Sequence, residues 1–274
     1  PQEQLEFALG FYEAKQYKEA VRELQKLIKH YPKARQAPEA QYYIGKIAFD
    51  QSNLYEAFKE YQVVIDKYPF SDRSTEIIRL QYEIGEAILE GLDQRNKFID
   101  AVSGANYDLI KIFRQVIKNA PYGKYAAPSQ YKIGLYLMEK GLYPEARDEF
   151  EKVINDYPDS EWIKAAKYQI AIADSKRSTT AQYDQRITQS AVKEFKEFVE
   201  VYPDAELSKS AKDQILDLRE KEAENKFLVG RYYEKRKQYS AAKIYYQQVV
   251  DEYGNTSWGR KALVKIQELA NKAN

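Results

Sequence analysis

The sequence predicts an all-α chain built from about six copies of one helix pair, closed by a further helix. Three observations carry this. A short segment recurs as Gln41-Tyr42-Tyr43-Ile44-Gly45, Gln81-Tyr82-Glu83-Ile84-Gly85 and Gln130-Tyr131-Lys132-Ile133-Gly134, with weaker copies at Lys167-Tyr168-Gln169-Ile170-Ala171 and Lys226-Phe227-Leu228-Val229-Gly230. Each is followed by three apolar residues at helical spacing, the first of them Ala in all copies but one, and then by Tyr-Pro or its equivalent. Gly and Pro number only 11 and 9 in 274 residues, which leaves little material for loops.

Taken in order, the second helix of each pair reads Ala20 … Leu24 … Leu27 … Tyr31-Pro32, then Ala57 … Tyr61 … Val64 … Tyr68-Pro69, then Leu109 … Phe113 … Val116 … Pro121. The later copies are Ala146 … Phe150 … Val153 … Tyr157-Pro158, Ala191 … Phe195 … Phe198 … Tyr202-Pro203 and Ala242 … Tyr246 … Val249 … Tyr253-Gly254. The spacing i, i+4, i+7 puts the three residues on one helix face. Proline cannot continue the helix and starts the next pair. The unit resembles the tetratricopeptide repeat, in which small residues of the two helices meet where the helices cross and a large residue fills the gap between them. That resemblance implies a right-handed solenoid, with repeats near 1–34, 36–71, 74–123, 125–160, 161–205 and 206–254. A capping helix from about Thr256 to Lys272 follows, with Leu263, Ile266 and Leu269 as its apolar stripe and a polar outer face.

The breaks in the repeat are informative. The recurring segment and the small residue of the second helix lie 16 apart from Gln41 to Ala57, from Gln130 to Ala146 and from Lys226 to Ala242. The distance is 28 from Gln81 to Leu109 and 24 from Lys167 to Ala191, so extra residues near 91–106 and 176–186 are expected as loops between helices. From Pro203 to Lys226 the count is 23, against 9 from Pro32 to Gln41; the surplus, Leu207 to Glu224, lacks Gly and Pro and reads as one long helix running into the sixth pair. Two parts are expected: 1–124, repeats one to three, and 125–274, repeats four to six with the long and capping helices.

Composition excludes several functions. Lys+Arg 43 against Asp+Glu 42 gives a net charge of +1, no general reason to expect nucleic acid or a membrane surface as partner. There is no apolar run near the ~18 residues a membrane span needs. Absence of Cys removes disulfides and thiolate metal sites. The single His, His30, sits beside a helix end and lacks the partners a general base requires. Carboxylate pairs such as Glu149 and Glu151 are read as lying on solvated faces. No phosphate loop, nucleophile elbow or metal-spaced set occurs. The expectation is a chain that is not an enzyme, with no catalytic residues, cofactors or metal.

Residues 125–270 resemble one family more closely. A Tyr-Pro-ended pair is followed by an insertion with Tyr183-Asp184-Gln185, a second Tyr-Pro-ended helix, a long charged helix, and Arg231-Tyr232-Tyr233-Glu234-Lys235-Arg236 … Tyr239-Ser240-Ala241-Ala242. This is similar to the BamD family, tetratricopeptide lipoproteins of the bacterial outer-membrane β-barrel assembly machinery. The resemblance implies a protein-protein interaction scaffold on the periplasmic face of the outer membrane. Its partners would be the periplasmic domains of the barrel assembly protein and unfolded outer-membrane clients. No nucleic acid is implied, and the membrane is met only through a lipid anchor upstream of residue 1. Residues 1–70 equally resemble the periplasmic coordinator of the Tol-Pal system, which would imply a soluble periplasmic adaptor.

Two sets of candidate binding residues follow. In the tetratricopeptide frame the first helix lines a concave groove. Tyr42, Tyr82, Tyr131 and Tyr168 occupy one groove position, Phe227 its counterpart, and Lys46, Phe49 and Glu86 neighbouring ones. Aromatic rings there would suit a client peptide; equally, they would pack between adjacent first helices, and the spacing leaves both readings open. The second set, Arg231, Lys235, Arg236 and Lys237, is the partner-docking candidate that the family resemblance implies.

Overall fold

The computed structural model describes residues 1–94, 109–180 and 185–272. Among them are thirteen α-helices and no strand: α1 Gln2–Glu13, α2 Tyr17–His30, α3 Gln36–Asp50, α4 Leu54–Lys67, α5 Ser74–Gln94, α6 Leu109–Asn119 and α7 Ala126–Glu139. There follow α8 Tyr143–Asp156, α9 Trp162–Thr180, α10 Gln185–Val201, α11 Glu206–Lys235, α12 Tyr239–Tyr253 and α13 Ser257–Lys272. The chain divides into two compact units, Pro1–Tyr136 and Leu137–Asn274, with the boundary inside α7. In the first unit α1 to α6 pack each on the next in chain order, and in the second α8 to α13 do the same.

One packing rule repeats. The even-numbered helices from α2 to α12 bury the same triplet, of which Ala20/Leu24/Leu27 and Ala191/Phe195/Phe198 are examples at 0–3 % exposure. A ring buried this way stabilises by about 1.5–3 kcal/mol. In three of the pairs it fits because the residue facing it is glycine. A Cβ at Gly45 would lie 2.7 Å from the Tyr61 ring, at Gly85 2.7 Å from Phe113, and at Gly230 2.7 Å from Tyr246.

Two turns repeat as well. Within a pair the chain reverses through one left-handed residue: Lys15 (φ 57°), Ser52 (63°), Gly141 (75°) and Lys237 (58°). The residue after each donates its N–H five residues back, as Gln16 does to Phe11 and Asn53 to Ala48, both at 2.9 Å, satisfying carbonyls that the helix end leaves open. Between pairs, Tyr31, Tyr68 and Tyr157 leave the helix near φ −130°, the extended conformation a following proline favours. The turn closes identically at all six junctions, from Ala34 to Tyr31, Ser71 to Tyr68, Gly123 to Ala120, Ser160 to Tyr157, Ala205 to Tyr202 and Thr256 to Tyr253, at 2.9–3.1 Å.

Three expectations need correction. The lengthened repeats do not place all their extra residues in loops: α5 runs on to Gln94 and α9 to Thr180, because neither stretch holds a proline and Gly91 lies where a Cβ would meet nothing. The rest of the first insertion, and residues 181–184 of the second, lie outside the described residues. The capping helix buries Ala262 and Leu269 with Ile266 half-buried, whereas Leu263 and Val264 are about half exposed. Its stripe is therefore rotated from the one read off the sequence, and its outer face is partly apolar. Glu149 is buried rather than solvated, with the Lys152 amine 2.7 Å from its carboxylate. The surplus before the sixth pair is one uninterrupted helix, the 30-residue α11.

Candidate protein-binding surfaces

Three of the four tyrosines offered as a groove, Tyr42, Tyr82 and Tyr168, reach the next odd-numbered helix or the residue just before it. Tyr42, Tyr82, Tyr131 and Tyr168 are buried, with 3–9 % of their surface left. Of the two readings the spacing left open, the geometry is that of interhelix packing. Tyr42 on α3 donates its hydroxyl to Glu76 of α5 at 2.7 Å, and the Arg73 guanidinium lies 4.5 Å from its ring centroid. Arg73 also donates to Glu39 of α3 at 2.6 and 2.9 Å and to Glu76 at 2.7 Å, closing a clamp between the two helices. Burial pushes the Tyr42 hydroxyl well above its ordinary range, and the Glu76 carboxylate adds to this. The Glu76 carboxyl itself is held low: burial would raise it, but the bonds from Tyr42 and Arg73 prevail.

The same device recurs with other partners. Tyr82 stacks on Tyr125 at 5.0 Å and donates to Glu86, whose carboxylate pairs with Lys132 of α7 at 2.8 Å. Tyr168 meets Ser210 of α11 at 2.8 Å through its hydroxyl. Phe227 packs on Trp258 of α13 at 5.0 Å. Of the other groove candidates, Lys46 and Phe49 are half-buried on α3, and Glu86 is half-buried and committed to Tyr82 and Lys132.

The basic set lies differently. Arg231, Lys235, Arg236 and Lys237 are all exposed at the end of α11 and in the turn after it. Between them the helix splits by face. Glu234 points inward, accepts from the Tyr246 hydroxyl at 2.7 Å and pairs with Lys265 of α13 at 3.5 Å. Tyr233 stacks on Tyr245 with ring centroids 5.1 Å apart. On the outer side Tyr232 is 50 % exposed, with the Arg236 guanidinium 4.7 Å from its ring centroid. The result is an exposed cationic face with an aromatic at its centre, a composition suited to a protein interface.

Sequence reasoning missed a partly buried ionic cluster in the second unit, centred on the buried Asp174. Arg147 of α8 reaches Asp174 of α9 at 3.4 Å, Glu194 of α10 at 3.1 Å and Glu151, and Arg177 holds Asp174 at 3.1 Å. Burial, with the nearby Asp174 charge, raises the Glu194 carboxyl despite Arg147. Glu222 of α11 is also buried and raised by desolvation, against the opposing charges of Arg219, Lys226 and Lys196. Nothing in the pattern of charges along the chain separates these acids from solvated ones. Among the described residues no group of His, Cys, Asp and Glu is arranged to hold a metal ion, and no helix is long and apolar enough to cross a membrane.

Comparison with known proteins agrees with this geometry. The family described as outer membrane lipoprotein, YfiO, matches residues 172–273. Two tetratricopeptide-repeat families match residues 5–72 and 129–160. Among solved structures, a tetratricopeptide-repeat protein of Bacteroides fragilis is 16 % identical over 78 % of this chain and 97 % of its own, with a TM-score of 0.50. The C-terminal part of a repeat-containing protein of Cytophaga hutchinsonii is 17 % identical over 95 % of this chain and 86 % of its own, at 0.42. No curated protein matches the chain. The chain thus has the tetratricopeptide-repeat fold, typically a non-catalytic protein-binding scaffold, and its last hundred or so residues are similar to the YfiO outer-membrane lipoproteins.

Proposed function

We propose that the protein is a BamD-like scaffold of outer-membrane β-barrel assembly, held on the periplasmic face of the outer membrane by a lipid anchor upstream of residue 1. One observation carries this reading. The stretch similar to YfiO contains the exposed face of Arg231, Tyr232, Lys235 and Arg236, and the inward Glu234 fixes that face by bonding to α12 and α13. Three cations and one half-exposed ring, with Lys237 in the turn beside them, suit an acidic, partly apolar patch on the periplasmic domains of a barrel assembly protein. In this reading residues 125–274 dock the assembly protein. Residues 1–124 meet client segments, over half-exposed positions such as Lys46 and Phe49 rather than over the buried tyrosines. Capture from detergent-solubilised envelopes tests it. The barrel assembly protein should be recovered with the wild-type chain; its consistent absence under conditions that preserve other envelope complexes would refute the assignment.

A further inference from the structure

The six turns between helix pairs share one backbone shape but not one chemistry. In the first unit the residues after the turn proline are Lys33, Phe70 and Tyr122; in the second they are Asp159 and Asp204, with Asn255 after Gly254. Phe70 is 98 % exposed and Tyr122 94 % exposed. A ring left wholly in water at a turn tip contributes nothing to the packing of its own chain. Two in consecutive turns call for a common cause.

Charge divides in the same way. The first unit's turns expose Lys29, Lys33, Arg35, Lys67, Lys118 and Lys124, opposed by Asp66 and Asp72. Those of the second unit carry acids and no cation, among them Asp159, Glu161, Asp204 and Glu206. The net charge of +1 conceals this division. The first two of the first unit's turns share one edge, and the helix before the third is bonded to the helix before the second. A cavity of about 800 Å³ lies between the first two, lined by Lys33, Arg35, Lys67 and Phe70 among others. Asn119, at the foot of the third turn, exchanges hydrogen bonds at 2.8 and 3.2 Å with Gln62 in the body of α4, the helix that carries the second turn.

We propose that this edge docks on a bilayer containing anionic lipid, with Phe70 and Tyr122 entering the headgroup region and the lysines meeting lipid phosphates. The two rings project from separate turns, at positions 70 and 122. A folded protein partner would have to supply a matching pocket for each; a fluid headgroup layer accommodates both. Aromatic rings flanked by cations are the residues that settle at the membrane interface. Each lysine at such a surface is worth about fivefold in binding, and that share is screened by salt. The inference is independent of the partner assigned to the C-terminal repeats, because it concerns the other unit.

Co-sedimentation of the full chain with vesicles is the test. Binding should appear with phosphatidylcholine mixed with phosphatidylglycerol, fade as salt rises, and be weak with phosphatidylcholine alone. Phe70→Ser with Tyr122→Ser should lower it about tenfold or more, and Lys33→Glu with Lys67→Glu and Lys124→Glu should abolish it. Helix content should be unchanged in both, since all five side chains are exposed. Phe70→Trp supplies a second readout: its emission should shift to the blue on adding the mixed vesicles and stay put with polyglutamate or duplex DNA. The proposal is overturned by equal binding to both kinds of vesicle or by wild-type binding of the Phe70/Tyr122 variant. Equal affinity for the soluble polyanions would also overturn it, since the edge would then be a general polyanion surface.

Discussion

Gly45, Gly85 and Gly230 are each pressed against a ring, and at this scale one missing methyl group sets how closely two helices approach. Gly85→Ala should therefore destabilise by about 1–3 kcal/mol through overpacking against Phe113, read from denaturant unfolding. The opposite sign is expected in the turns: Ser52 holds a left-handed backbone that glycine adopts without strain, so Ser52→Gly should raise stability by about 0.5–1 kcal/mol. Tyr42→Ala with Tyr82→Ala should lower the unfolding midpoint sharply, because both rings are interhelix packing; unchanged stability with loss of peptide binding would restore the groove reading. Glu222 sets a pH dependence. Its folded-state pKa is raised, so the folded chain holds the proton more tightly than the unfolded one. Its contribution to stability then falls as pH rises from the ordinary glutamate range through the raised value. Glu222→Gln should remove that slope and raise the melting temperature at neutral pH.

At the scale of elements, the even-numbered helices were legible because their triplet has one spacing and one purpose, and proline marks their ends. The long α11 was legible because nothing in Leu207 to Glu224 could stop a helix. Asn225→Pro, at an exposed position within it, should cost about 3 kcal/mol or more and weaken the bond network from Glu220 and Glu234 to α13, seen as loss of a single cooperative melting transition. Other features were read less well, each for a physical reason. Tyr42, Tyr82, Tyr131 and Tyr168 recur at a spacing that fits a groove and an interhelix seam equally, and periodicity does not separate two faces so close together. The ends of α5 and α9 lack stop signals, so the boundary between helix and insertion is not written in residue type. In the capping helix Leu263 and Ala262 are adjacent, and only packing against α12 decides which turns inward.

For the whole molecule, composition hid more than it told. Balanced charge suggested no polar preference, yet the turns of the two units differ in sign, and α11 ends in an exposed cluster of cations. Sequence could supply the Arg-Tyr-Tyr-Glu-Lys-Arg run but not its division into an inward acid and an outward basic face, which depends on Tyr246 and Lys265 arriving from two other helices. In the proposed function that division makes the end of α11 the docking surface. It is tested most directly by titrating purified periplasmic domains of a barrel assembly protein against the wild-type chain and against Arg231→Glu with Arg236→Glu. The wild-type chain should bind, and the charge-reversed chain, with its helix content intact, should bind at least about tenfold more weakly. Equal binding by the two chains, or none by either, would contradict the assignment.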